Sequence, residues 1–212
     1  LVGTLRVGAT HTFNVKLIPE CLALFLEKHP AVRVVVREMF ASEVVRQVES
    51  GELDLGITYE PERHTKLAFE ALYVEEMILA VGSEHAFAGR RKVRGIELHR
   101  MRMILPTRSS STRRIIDEAL QTVGAEPIVV AEMDSLAATI ELVRRSDLAA
   151  IISRLAASDA RGVHLVLLEN PTPMRTPGLL TRAGEESSPA LRALSGILRR
   201  IVRRGASEQP RG

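Results

Sequence analysis

The sequence holds one cysteine, no tryptophan and only 3% aromatic residues. Cys21 has no partner with which to close a disulfide within the chain, so the disulfide frameworks of small secreted domains are excluded. Nothing points to an oxidising compartment, and a cytoplasmic setting is the expectation. Long apolar runs are missing too. The longest, such as Cys21–Leu26 and Met77–Val81, reach six residues at most, against the roughly 20 needed to span a bilayer. Scarce rings leave little for a single-strand nucleic-acid platform, which stacks bases on aromatics between cations. There is no phosphate loop, dinucleotide fingerprint, Gly-x-Ser-x-Gly or Ser-x-x-Lys. The six histidines (11, 29, 64, 85, 99, 164) show no i, i+4 pairing and no cysteine partners. No catalytic residue, metal or cofactor is therefore expected. No initiator Met precedes Leu1, and the chain is expected to be part of something longer.

What is present is the composition of a globular protein: 212 residues, 45% hydrophobic and 26% charged, enough for one large domain or two small lobes. The net charge of +3 is uneven, because residues 192–212 carry six arginines against Glu208 alone and the rest of the chain is left at −2. The basic pI of 9.4 thus reflects a local C-terminal cluster, whose ordinary explanation is cations suiting a helix C-terminus.

Strands and helices alternate along the chain. Thr4–Ala9 reads as a strand, Leu17 to Phe25 as a helix ended by His29-Pro30, and Val32–Arg37 as a β-branched strand. Ser42 is a candidate N-cap for a helix through Val48 closed by Gly51, and Leu53–Thr58 is a third strand. Leu67–Val74 and Met77–Gly82 are extended runs passing from one lobe into another, and Ser83–Arg94 reads as an exposed loop. A second set follows: strand Met103–Leu105, a helix capped by Ser111 or Thr112 and ended by Gly124, strand Ile128–Glu132, a helix capped by Asp134 or Ser135, and strands Leu148–Ile152 and Val163–Leu168. The proline-rich Pro171–Pro177 returns the chain to a strand at Leu179–Thr181, and a last helix starts near Ser188, with Leu191, Leu194, Ile197, Leu198 and Ile201 inward. Such alternation implies βαβ crossovers and parallel sheets with helices on both faces.

Ligands of open α/β sheets sit beyond the carboxyl ends of the strands, where loops enter helices. Two such loops are rich in hydroxyls: Thr10, His11 and Thr12 after the first strand, and Ser109, Ser110, Ser111 and Thr112 in the second lobe. If the lobes face each other, two helix N-termini converge, and their amides with Arg108 suit an anion such as a carboxylate. Taken singly, each Ser or Thr is more often a helix cap than a ligand contact. Asp54 alternates away from Leu53 and Leu55 and is read as a structural hydrogen-bonding group in its strand.

Gly3–Thr10, then Leu17-Ile-Pro19 through Phe25–Pro30, then Gly51–Ile57, with weaker support from Ser109–Arg113, resemble in order and separation the effector-binding domain of LysR-type transcriptional regulators. The resemblance covers nearly the whole chain. It implies an α/β, two-lobed type 2 periplasmic-binding-protein-like fold, with two sheets flanked by helices and joined by two crossover strands. The lobes would be residues 1–73 with 178–205, and residues 74–177, with a disordered tail over 206–212. It also implies a small-molecule cleft between the lobes. That places Thr58 at the cleft, with Asp134, Ser135 and Ser153 in comparable turns of the second lobe. Thr10-His-Thr-Phe13 and Ile152 are similar to cyanate-responsive members, which adds Phe13 to the candidates. Family membership further implies homodimers or tetramers through the helix Val15–Lys28, the strand from Val32 and the helix Arg113–Gln121. Operator DNA would be bound only through an N-terminal helix-turn-helix absent here.

Three other functions compete with an effector sensor. A solute-binding protein of a transport system shares the fold and would be distinguished by an upstream signal peptide. An enzyme using His11 or a cleft serine needs a His and a carboxylate together, which no spacing predicts. Nucleic-acid binding through the arginine cluster predicts steep salt dependence without sequence preference.

Overall fold

The computed structural model describes residues 1–61, 66–157, 160–184 and 187–208, so His64 and residues 209–212 of the expected tail lie outside the described residues. The chain divides into two compact units, Leu1–Val74 with the chain from Thr176 onward, and Glu75–Arg175.

In the first unit β1 (Gly3–Ala9) leads through the short α1 (His11–Val15) into α2 (Leu17–Lys28), then β2 (Val32–Glu38), α3 (Ala41–Glu49), β3 (Leu55–Tyr59) and β4 (Leu67–Ala71). The second unit comprises β5 (Glu75–Gly82), β6 (Lys92–Arg94), a 3₁₀ turn at Gly95–Leu98, β7 (Arg102–Leu105), α4 (Ser111–Gln121), β8 (Ile128–Glu132), α5 (Leu136–Arg144), β9 (Ala149–Ser153), α6 (Arg154–Ala157), β10 (Val163–Glu169) and β11 (Met174–Arg175). The chain then returns to the first unit as β12 (Pro177–Arg182) and α7 (Pro189–Glu208).

The first sheet has the order β2-β1-β3-β12-β4, with β1 parallel to both neighbours and β12 antiparallel to β3 and β4. Alternation along β1 turns Leu5, Val7 and Ala9 to one face, where they pack with Phe13, Phe25 and the Leu194, Ile197 and Leu198 stripe of α7. Burying each of these large side chains contributes roughly 1.5–3 kcal/mol. On the opposite face α3 presents Val44 and Val48 to Leu53, Leu67 and Leu180. Gly56 lets that helix approach, since a Cβ there would stand 2.6 Å from Val44 Cγ1. Gly51, at φ +81°, ends α3, and Arg182 Nη1 donates to the carbonyls of Val48 at 3.0 Å and Leu53 at 2.9 Å. Asp54 accepts a 2.7 Å bond from the backbone N–H of Arg6, the structural role its alternation implied.

The second sheet runs β6-β10-β5-β9-β7-β8, with β11 paired to the start of β5. Its central strands are buried on both faces. Met77, Leu79 and Val81 pack with Met103, Leu105 and Ile116 on one side, while Ile78 and Ala80 meet Ile104, Val143, Ala150 and Ile152 on the other.

Both sheets are mixed, not parallel, because a run buried on both faces carries the same pattern in either direction. The stretch read as a loop over Ser83–Arg94 ends in the three-residue β6, which pairs with β10 and buries Val93 alone. The N-cap positions are Phe40 for α3 and Ser110 for α4, so Ser42, Ser111 and Thr112 lie inside their helices. α7 continues to Glu208, past Gly205 and into the segment expected to be a disordered tail. No described helix is long and apolar enough to cross a membrane.

Candidate functional site

In the first unit, β1 ends between two parallel neighbours, with Ala9 in register with both Glu38 of β2 and Ile57 of β3. The backbone N–H of Thr10 donates to Ile57 O at 3.2 Å, and Met39 donates to Ala9 O at 3.0 Å. Three carboxyl ends are thereby fixed at one edge. Thr10 occupies the N-cap position of α1, yet its hydroxyl makes no capping bond. It is 8% exposed, and its Oγ1 has no hydrogen-bond partner. Thr58, at the end of β3, is fully buried with the same lack of a partner. Burying an unpaired hydroxyl costs roughly 1–3 kcal/mol, and pairing is the rule for such groups. Thr10 and Thr58 thus carry two such unpaired hydroxyls on adjacent strand ends.

His11 and Thr12 are the first residues of α1 and do not precede it, because α1 starts directly after β1. At five residues α1 is too short to supply much of a dipole, which removes one of the two helix N-termini expected to face the ligand. Lys16, at φ −135°, breaks it from α2. His11 Nδ1 lies 2.7 Å from Glu38 Oε1, while Asn14 Nδ2 donates to Glu38 Oε2 at 3.0 Å. Burial pushes the Glu38 carboxyl up, but the hydrogen bonds from His11 and Asn14 outweigh it and hold the group below the usual glutamate range. His11 Nε2 is buried and has no hydrogen-bond partner. Phe13 is 1% exposed and tilts against Tyr59 at 5.4 Å between ring centroids, so its side chain belongs to the core. Glu38 and Asn14 were missed by the sequence reading. The only signal for Glu38 was the switch from valines to Arg37-Glu38 at the end of a strand.

In the second unit, the loop after β7 is held from beneath by Arg113. Its guanidinium, buried at 4% exposure for the residue, donates to both Asp117 oxygens, to Pro106 O at 2.9 Å and to Glu132 Oε1 at 2.9 Å. Asp134 accepts from the backbone N–H of Thr107 at 3.1 Å and from its hydroxyl at 2.8 Å, tying the loop after β8 to the loop after β7. With its proton given to Asp134, the Thr107 hydroxyl accepts from Ser109 Oγ at 2.9 Å. Ser110 stands at the N-cap of α4 without a side-chain cap bond, whereas Ser135 caps α5 by accepting from Ala138 N at 3.3 Å. The Arg108 side chain is 84% exposed and 3.9 Å from Glu132.

Ser153, at the end of β9, is buried and donates its hydroxyl to Glu75 Oε1. Glu75 Oε2 receives Arg175 Nε at 2.6 Å, and Arg175 Nη1 donates to Thr112 Oγ1 at 2.9 Å. A buried polar chain thus joins the first turn of α4 to β5, β9 and β11. It explains Ser153 and Thr112 as structural links, a role that spacing did not reveal.

Among the described residues no group of three or more His, Cys, Asp or Glu is placed to hold a metal ion. Cys21 is buried in the core, and burial first, with Glu20 second, pushes its thiol up to about 12. That environment suits packing and not nucleophilic chemistry.

Residues 1–203 match the LysR substrate binding domain family. The HTH-type transcriptional regulator GalR of Pseudomonas putida is 30% identical over 209 residues, which are 95% of this chain and 52% of that protein. The chain spans about half the length of that relative. Among solved structures, the effector binding domain of QuiR in complex with shikimate superposes with a TM-score of 0.85 at 17% identity, covering 96% of this chain and 99% of that one. The Synechocystis PCC6803 CcmR regulatory domain in complex with 2-PG gives 0.86 at 19% identity, covering 94% and 97%. These likenesses establish a periplasmic-binding-protein-like α/β fold of two sheets flanked by helices. With the family match running from Leu1 to residue 203, the chain belongs to the LysR substrate binding domain family.

Proposed function

We propose that this chain is the effector-sensing part of a cytoplasmic transcription regulator and that its ligand is a small anion. The observation that carries the reading is the pair of buried, unpartnered hydroxyls of Thr10 and Thr58 at the carboxyl ends of β1 and β3. The recognition element is the turn from Thr10 to His11 in the first unit, where the carboxyl ends of β1, β2 and β3 stand side by side. QuiR and CcmR, of the same fold, were solved with shikimate and 2-PG, which supports a small polar ligand here. The family match supports a regulator over a solute-binding protein of a transport system, and over an enzyme.

The mechanism is linkage. A ligand that prefers one conformation of the chain shifts the population towards it by its differential affinity, and an attached DNA-binding module responds to that shift. The partners are further copies of the chain, as homodimers or tetramers, and operator DNA only through an N-terminal DNA-binding module. The test is a thermal-shift screen against cyanate, simple carboxylates and aromatic acids, with Thr10→Ala, Thr58→Val and Ser110→Ala alongside. An anion at 100 times its dissociation constant stabilises the chain by about 2.7 kcal/mol. Loss of that stabilisation in the threonine variants supports the reading. Equal stabilisation in all four proteins places the ligand elsewhere, and no stabilisation by any anion overturns it.

A further inference from the structure

The imidazole of His11 can hold a proton on either ring nitrogen or on both, and its surroundings fix which nitrogen faces which group. Nδ1 is committed: at 2.7 Å from Glu38 Oε1 it faces an acceptor. Asn14 occupies the other carboxylate oxygen at 3.0 Å, so Glu38 is held in place from two sides. A carboxylate kept ionised can only accept, which makes Nδ1 the protonated nitrogen at neutral pH. Nε2 is then the nitrogen that gains or loses a proton. It is buried, has no hydrogen-bond partner, and follows directly on Thr10, whose hydroxyl is also buried and unpartnered.

The groups around the ring decide between its two forms. Glu38, from β2, is the charged group bonded to it; Asn14 on α1 and the threonines ending β1 and β3 are neutral, and the next cation along the chain is Lys16 at the break after α1. A bare Nε2 asks for a ligand hydroxyl. A protonated Nε2 asks for an oxyanion, and the ring then sits between two negative groups, each of which stabilises its charge.

We propose that His11 selects the charge of the ligand: Nε2 takes a proton from solvent as the ligand binds and donates it to a carboxylate or phosphate oxygen, so that binding is coupled to uptake of one proton. Glu38 acts as a positioning residue that sets the ring's tautomer and favours the imidazolium. This rests on the reading that the Thr10 turn receives a small anion, and it adds the regulation of that site. Tighter binding at lower pH follows, down to the pH at which the ligand itself is protonated. Uptake of one proton makes affinity fall by up to about tenfold for each unit by which the pH rises.

The experiment follows the ring nitrogens of the ¹⁵N-labelled chain by NMR from pH 5 to 9, without additive and with sodium phosphate or sodium benzoate as probes. The expected result is a protonated Nδ1 throughout, titration at Nε2, and a midpoint that rises when either probe is added. Calorimetry in two buffers of different ionisation enthalpy should show proton uptake approaching one per probe above that midpoint. His11→Gln, which keeps a donor but cannot titrate, should flatten the pH dependence, and Glu38→Gln should lower the midpoint. A midpoint that neither probe moves overturns the proposal, as does the same pH slope in wild type and His11→Gln. If a probe stabilises the chain, and loses that effect in Thr10→Ala, while His11 is indifferent, the anion site stands without its histidine. If neither probe nor any anion of the screen stabilises the chain, both readings fall.

Discussion

Arg175 Nε lies 2.6 Å from Glu75 Oε2, with the arginine side chain 4% and the glutamate side chain 2% exposed. Each residue stands at an end of the second unit, where the chain enters it on β5 and leaves it on β11. Ser153 and Thr112 add their hydroxyls to the pair, so the charges are compensated as fully as burial demands.

Removing one partner of this pair should cost far more than removing both. Glu75→Gln is expected to destabilise the chain by about 3–5 kcal/mol, since it strands a buried guanidinium, while Glu75→Gln with Arg175→Met should recover part of the loss. Urea unfolding of the two variants and the wild type measures this. Equal losses would show that the arginine is solvated in solution.

The Cys21 thiol, raised to about 12 by burial, should be unreactive in the folded chain. Thiol-labelling reagents at pH 8 are expected to modify it only at the rate of unfolding, and the reaction should become fast in denaturant. Rapid labelling of the native protein would contradict the packing role.

Acid should weaken the fold by a route that salt and substitution can isolate. Hydrogen bonds from Arg90 and the Arg94 backbone hold Glu97 at about 2, and Arg46 with Gln47 does the same for Glu43, where an ordinary glutamate sits at 4.5. Glu38 and Glu70 are lowered in the same direction. Because these folded-state values are depressed, their stabilisation is complete above 4.5 and is lost as pH falls from there towards about 2. Melting temperatures at pH 6, 4 and 3 should fall progressively, and Glu97→Gln should lower the value at pH 6 more than at pH 3. A drop of the same size at both would remove Glu97 from the account.

Self-association should run through the sheet edges. β2 and β8 are edge strands of their sheets, Ile128 and Val130 on β8 are 45% and 41% exposed, and Leu24 and Leu26 on α2 are 37% and 40% exposed. An open apolar edge calls for a partner. We expect a homodimer by light scattering at micromolar concentration, and Ile128→Arg with Val130→Lys should shift it towards monomer. A wild-type chain that stays monomeric at high concentration would leave these residues as ordinary surface.

The order of elements could be read from the chain because each has a local cause: β-branched residues at Val32–Glu38, a helical stripe from Leu17 to Phe25, an end at His29-Pro30 and another at Gly51. These act within one or two turns and need no partner. The hydroxyl-rich turns at Thr10 and Ser110 were legible for the same reason, as Ser and Thr between a strand and a helix. Strand direction was not, since Leu179 and Leu180 bury equally well beside a parallel or an antiparallel neighbour.

The candidate site was legible as a place and not as a set of bonds. Residue type brought Thr10, His11, Ser153 and Asp134 forward alike. Only the fold set Ser153 on Glu75, 78 residues away, turned Asp134 to Thr107, and left the hydroxyls of Thr10 and Thr58 without partners. It also brought Glu38 to His11 across 27 residues. By itself the sequence determined which segments form strands and helices and which residues face inward, because propensity and periodicity are local. Tertiary structure decided which polar groups satisfy one another and which remain unpaired, because hydrogen-bond pairing between distant segments is settled only when the sheets assemble.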